Sequence, residues 1–540
     1  MVQAVAVSLI AGTALAIQPA SAASYIPISG SGSTWSQNAL DQWRKNVAAN
    51  YGMTVNYTGN GSSAGRKDFI NKSVDYAVSE IPFQLHPIDN SAPEVSLVPY
   101  AYMPIVAGGT SFMYNLKIAG KRVTNLRLSG EVITKIFTGV ITNWNDAAIA
   151  ADNPKLALPS KPIVPVIRAD GSGTSAQFTL WMSKQHPTLW NAFCKKMHIA
   201  TPCGLTSQYP SYGGFKAQSG SNGVAGYVSQ DYGEGAITYV EYSYAIKAGF
   251  PVAKVLNKAG YYVEPTAKSV AVALLQAKIN TDSKSDAYLT QILDGVYNNA
   301  DPRTYPISSY SYMIVPTKVV SGATFTTQKG ATLGTFAHYM LCEGQQQAEA
   351  LGYSPLPMNL VLAGFEQIKR IPGANSAANT SVKNCNNPTF KAGDSPNNNQ
   401  LAKSAPQPAA CDKQGADQCA TTTGGSTAGS GTSSGTDSTG TGTTDGATTD
   451  GATTTDPGTS GGTTTDPAGT GAGSGASNSG TSNGSDSLEA YPYALPKEQF
   501  GQQQITMLVA GILLVLVIIL PPIAMNFIGR RRKTRGSTEN

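Results

Sequence analysis

Arg168 and Asp170 stand two residues apart, and the run Gly171-Ser172-Gly173-Thr174-Ser175 follows at once. A guanidinium offers a fork of charge-assisted donors. Small residues opening a helix leave first-turn N–H groups without partners, at the positive end of the helix dipole. Together these are the parts of an anion site. Asp170 repels an anion, so it needs a role other than ligand. Two further stretches repeat the pattern of short strand, small-residue loop and helix: "ISGSGSTW", 28–35, and "TGNGSSAG", 58–65. Serine and threonine at such places are ordinary helix caps when taken singly. Three such loops at the carboxyl ends of strands converge on one ligand in an open α/β sheet.

Other chemistries fit these residues less well. "GSGTSA", 171–176, has the glycine spacing of a dinucleotide loop, but no Asp or Glu occurs between Gly171 and Gln230 to hold a ribose hydroxyl. "GSSAG", 61–65, matches a nucleophile elbow with Ser63 as nucleophile, which makes an exported serine hydrolase the main alternative. His186, His198 and His338 are the later histidines, and none stands in a recognisable triad context. With only four histidines and no Cys-x-x-Cys, neither a metal site nor a metal cofactor is expected. The formal charge of +5 owes much to "RRRKTR", 530–535, so the remaining chain is not basic enough for nucleic acid.

These loops need elements to hold them. Trp35, Ala39, Leu40, Trp43 and Val47 fall on one helical face, with Gly52 as the stop. "MTVNYTG" and "VDYAVSE" read as strands on either side of a helix opened by "GSSAGRKDFINKS". Strands follow at 104–114, 162–168 and 305–316, and a helix is expected over 331–353. Alternation of this kind predicts an α/β fold with a largely parallel sheet.

The order and spacing of "GSGSTW", "GNGSSAGRKDFINKSVDYAVSE", "GVITNWNDAAI", "NPKLALPSKPIVPVIRADGSGTS", "GAITYVEYSYA" and "YPISSYSYMI" resemble the periplasmic phosphate-binding proteins of high-affinity phosphate ABC transporters, over most of 25–372. The resemblance implies a two-lobed periplasmic-binding-protein-like fold of type II. Lobe 1 covers about 24–104 and 312–385, and lobe 2 about 105–311. The lobes close on inorganic phosphate, with no cofactor and no catalysis. It implies ligands at Thr34, Trp35, Ser62 and Glu80 from the first lobe and at Arg168, Ser172, Gly173 and Thr174 from the second. Asp170 would orient Arg168, and Ser79 would stand behind the site. The family has Ser-Asp where this chain has Ser79-Glu80. That acid accepts the proton of phosphate and excludes sulfate, since an unprotonated anion would face a carboxylate. Glutamate keeps the acceptor and moves it by about 1.5 Å. A fold that has lost its ligand and serves as a surface scaffold or adhesion protein is a further alternative.

The rest of the chain reads as export and attachment. Residues 1–23 have the apolar stretch and small-residue cleavage site of a signal peptide. From 386 to 504 a disordered linker rich in Gly, Ser and Thr is expected, its low-complexity part lacking any large apolar residue from Ala420 to Ser487. As a flexible coil of about 65 residues that part would span on the order of 45 Å. Residues 505–527 carry no charge and are long enough for one transmembrane helix. The basic tail 528–540 makes the C-terminus cytoplasmic and the binding domain extracellular. A phosphate ABC permease is the partner the resemblance implies. Six cysteines in an exported chain point to disulfides, most simply Cys194–Cys203, Cys342–Cys385 and Cys411–Cys419.

Overall fold

The computed structural model describes residues 25–420, apart from 90, 376–379, 381, 392, 396 and 397. The expected signal peptide, the low-complexity linker and the apolar run 505–527 lie outside the described residues. No helix among the described residues is long and apolar enough to cross a membrane.

An eight-stranded sheet runs through the molecule in the order Val55–Thr58, Ile28–Gly32, Tyr76–Ser79, Ser308–Pro316, Tyr100–Tyr114, Ala236–Glu241, Val164–Arg168, Lys216–Gln218. The outer strands on each side are parallel, as strand–helix–strand alternation requires. The two middle strands are antiparallel to each other and belong to both halves. Residues 100–109 of the long strand pair with 308–316, and residues 110–114 pair with 237–241. This change of partner joins two α/β lobes. Gly108 and Gly109 sit at the change. A Cβ on Gly108 would stand 2.9 Å from Glu241 Oε1 and Trp35, and one on Gly109 would stand 2.6 Å from Pro265, so the crossing admits no side chain.

The first helix runs from Gln37 to Tyr51, burying Ala39, Leu40, Trp43 and Val47, and ends at left-handed Gly52 as the pattern predicts. Trp35 precedes it and lies in the loop. The late helix is shorter than expected. It covers Thr327–Leu341 and gives way to a 3-10 turn at Glu343–Gln347. Trp43 explains the break: its indole N–H donates to Gly344 O at 2.7 Å and lies against Gly344, leaving no room there for a regular turn with a side chain.

The linker was expected to begin at 386, and the structure corrects this. The segment 386–420 packs as a strap from one lobe to the other. It begins beside the Cys342–Cys385 disulfide, where Asn387 Nδ2 donates to Leu341 O and Leu356 O. A short helix, Gln400–Lys403, then buries Leu401 and Ala402 against the second-lobe helix Ala267–Leu274. The loop closed by Cys411–Cys419 ends on the small sheet formed by Arg127–Leu128, Lys254–Leu256 and Tyr262–Val263. There Arg127 Nη1 donates to Cys411 O and Asp417 O, and Lys254 pairs with Asp412 at 2.7 Å. The segment has few apolar residues; arginines filling the strap's carbonyls give it order instead. Cys194–Cys203 is the third disulfide, and no described cysteine is free.

Glu264 lies beside the strap. Burial pushes its carboxyl up to about 7, against the pull of Lys254 and with the push of Asp412. A raised folded-state pKa stabilises the fold fully below the unfolded value, and that contribution is lost as pH rises through about 7. The wild type should therefore lose about 3 kcal/mol relative to Glu264→Gln between pH 4.5 and pH 8. Melting curves of the two proteins across that range check this. A constant difference between them contradicts it.

Candidate functional site

Three loops at the strand ends meet between the lobes. The first follows Ile28–Gly32 and is tied down through its backbone. Ser33 N–H donates to Val78 O at 2.9 Å, Tyr57 and Tyr244 hydroxyls donate to Ser33 O and Thr34 O, and Tyr353 OH donates to Trp35 O. These anchors leave the Thr34 hydroxyl turned toward the opposite lobe. The backbone N–H of Trp35 donates to Ser33 Oγ at 3.0 Å.

The second loop opens the helix Ser62–Ile70. Ser62 Oγ accepts from Gly173 N–H across the cleft at 3.1 Å, and Ser63 N–H donates to Gly171 O at 3.0 Å. The third follows Val164–Arg168 and opens the helix Gly173–Gln185. Arg168 is 3 % exposed. Its Nε donates to Asp170 Oδ1 at 2.7 Å, and Nη2 completes the fork on Asp170 Oδ2. The same Nη2 reaches the other lobe at Thr34 Oγ1, 3.0 Å away, while Nη1 meets Ser221 Oγ at 3.3 Å and Thr174 Oγ1 at 3.4 Å.

Asp170 thus holds the arginine by its far edge. Burial pushes the Asp170 carboxyl up, and Arg168 together with the Gly220 N–H outweighs this and leaves it below the ordinary carboxylate value. Asp170 is charged at neutral pH and carries part of the guanidinium field.

Of the residues singled out in the sequence, Thr34, Ser62, Glu80, Arg168, Gly173 and Thr174 come together. Ser172 opens the helix of the third loop: its Oγ caps the helix by accepting from Ser175 N–H, which leaves the hydroxyl proton able to donate, and its own N–H donates to Ser207 O. Ser79 lies behind the site, between Arg66 Nη1 and Ile81. Arg66 is fully buried and forms a fork on Glu94, at 2.6 and 3.1 Å, which fixes the start of the helix carrying Ser62.

Further residues reach the site without a sign in the sequence reading. Ser33 and Ser311 both donate to Glu80 Oε1, Ser221 donates its N–H to Thr34 Oγ1, and Gln177 Nε2 donates to Glu80 O. Ser33 lies inside a loop already marked by its pattern. Ser311 comes from the returning hinge strand, far along the chain, and only the fold brings it in.

Ser63 hydrogen-bonds with Ser207 and Arg66. His86 lies near Asp286, His186 packs on Trp181 and His338 stacks on Phe365, so these three have neighbours other than Ser63. Among the described residues no cluster of His, Cys, Asp and Glu could hold a metal ion.

Two hinged α/β lobes closing on an arginine and a ring of hydroxyls define an anion receptor of the periplasmic-binding class. Residues 18–343 match the family model of the PBP superfamily domain. Among curated relatives, the phosphate-binding protein PstS of Xylella fastidiosa (strain Temecula1) is 32% identical over 336 residues, covering 62% of this chain and 83% of its own. PstS 2 of Mycobacterium tuberculosis is 32% identical over 333 residues, covering 61% and 82%. Among solved structures, a high-affinity periplasmic phosphate-binding protein, PfluDING bound with phosphate, aligns with TM-score 0.47 at 21% identity, covering 63% of this chain and 92% of that one. The chain belongs to the PstS phosphate-binding protein family of the PBP superfamily.

Proposed function

We propose that this protein is a non-catalytic receptor for inorganic phosphate, held at the outer face of a membrane. The observation that carries the reading is the cross-lobe pair formed by Arg168 with Thr34 and by Gly173 N–H with Ser62. One donor set from each lobe converges, so an anion bound there draws the lobes together. The guanidinium supplies positive charge, the Thr34, Ser62 and Thr174 hydroxyls and the Gly173 N–H supply directed donors, and closure removes water that weakens each bond. Glu80 is the one acceptor. A monoprotonated phosphate gives it a hydrogen bond, whereas sulfate leaves two anions opposed, at a cost of several kcal/mol.

The apolar run 505–527 anchors the receptor, the basic tail lies on the cytoplasmic side, and residues 1–23 direct export. A phosphate ABC permease is the partner proposed for delivery. A tether leaving from the strap at Cys419 gives the binding body reach above the membrane.

Phosphate should raise the melting temperature of the folded body in proportion to the logarithm of its concentration, and sulfate at the same ionic strength should not. Equal shifts with the two anions contradict the reading. Covalent labelling by a fluorophosphonate probe that is lost in Ser63→Ala favours the hydrolase.

A further inference from the structure

Glu80 does more in this structure than face an anion. It is fully buried at the end of the strand Tyr76–Ser79. Its Oε1 accepts from Ser33 Oγ at 2.5 Å and Ser311 Oγ at 2.6 Å, and its Oε2 accepts from Ser62 Oγ at 2.7 Å. Its carbonyl is held by Gln177 and Gln291. Oε2 presses on the opposite lobe: a Cβ on Gly173 would stand only 1.8 Å from it. The carboxylate therefore reaches into the same donor set that an anion needs.

Resting on the phosphate reading, we propose that Glu80 is a tethered competitor for the Ser62 hydroxyl, and that its length sets the affinity and sharpens the selectivity of the site. A serine hydroxyl has one proton to donate. Here that proton goes to Glu80 Oε2. Binding exchanges partners: the Ser62–Glu80 bond breaks, Ser62 donates to a ligand oxygen, and the ligand's own O–H donates to Oε2. A monoprotonated oxyanion leaves every buried group satisfied after the exchange. An unprotonated one leaves Oε2 without a donor and facing like charge, so selection acts twice. Ser33 and Ser311 hold Oε1 and keep the carboxylate from swinging away to make room. An aspartate held at the same place ends about 1.5 Å short of Ser62, which leaves that hydroxyl free for the ligand from the outset.

Equilibrium dialysis of phosphate and sulfate on the full chain tests this. Glu80→Asp should bind phosphate about tenfold more tightly while still excluding sulfate. In a Ser62→Ala background the same change should bring no gain, because the gain comes from that hydroxyl. Unchanged or weaker binding by Glu80→Asp overturns the proposal, as does an equal gain in both backgrounds. Glu80→Gln, of the same size, covers the case in which the aspartate variant does not fold. Its amide can donate, so sulfate should bind within about tenfold of phosphate; continued exclusion of sulfate places Glu80 away from the ligand and overturns the proposal. Absence of phosphate binding in the wild type overturns the phosphate reading instead, and the inference with it.

Discussion

Replacing Arg168 with alanine should weaken phosphate binding by about three orders of magnitude and leave the fold intact. The guanidinium is buried and joins the lobes through Thr34, so its loss removes the only cation among the converging residues. It also releases Asp170, which keeps the Gly220 N–H and stays buried beside the ligand. An attraction becomes a repulsion, and truncating one partner of such a pair costs about 2–5 kcal/mol. Arg168→Lys keeps the charge but cannot hold Asp170 and reach Thr34 at once, so it should recover only part of the loss. Titration calorimetry reads both. If Arg168→Ala binds as the wild type does, the anion is not held here, and the scaffold reading gains.

Arg127→Ala should lower stability by about 3 kcal/mol, or roughly 4 °C in melting temperature for a body of this size. The side chain is 1 % exposed and lies over the Tyr262 ring, 4.4 Å from its centroid. Its Nε donates to Asp152 O at 2.8 Å and its Nη1 to Cys411 O and Asp417 O. Alanine leaves three carbonyls without their donor and a cavity under the strap. The loop 411–419 should then become cleavable by protease before the lobes unfold. A melting point within a degree or two of the wild type would mean that the strap adds little to the fold.

The two predictions draw on parts of the molecule that were unequally legible. The Arg168–Asp170 pair is readable because its spacing is local, and the two forked bonds follow from residues two apart. The loops at 28–35 and 58–65 are readable because strand, small residues and helix recur in order. Ser311 is not: its bond to Glu80 spans 231 residues and depends on the pairing of the returning hinge strand with Tyr76–Ser79. The strap reads as linker because its composition is polar. Order there comes from Arg127 and Arg303 meeting backbone carbonyls, the latter at Ala402 and Ala405. Such bonds leave no periodic trace in the sequence.

The strap also decides what should be measured. A fragment ending at 385 lacks the segment that covers Arg127 and the helix Ala267–Leu274. The body to use is 25–420. Calorimetric titration of this body with phosphate, repeated in excess sulfate, tests the central claim most directly. The account predicts one phosphate per chain with micromolar or tighter affinity, unchanged by sulfate. No heat at phosphate concentrations below millimolar, or displacement of phosphate by sulfate, would contradict it.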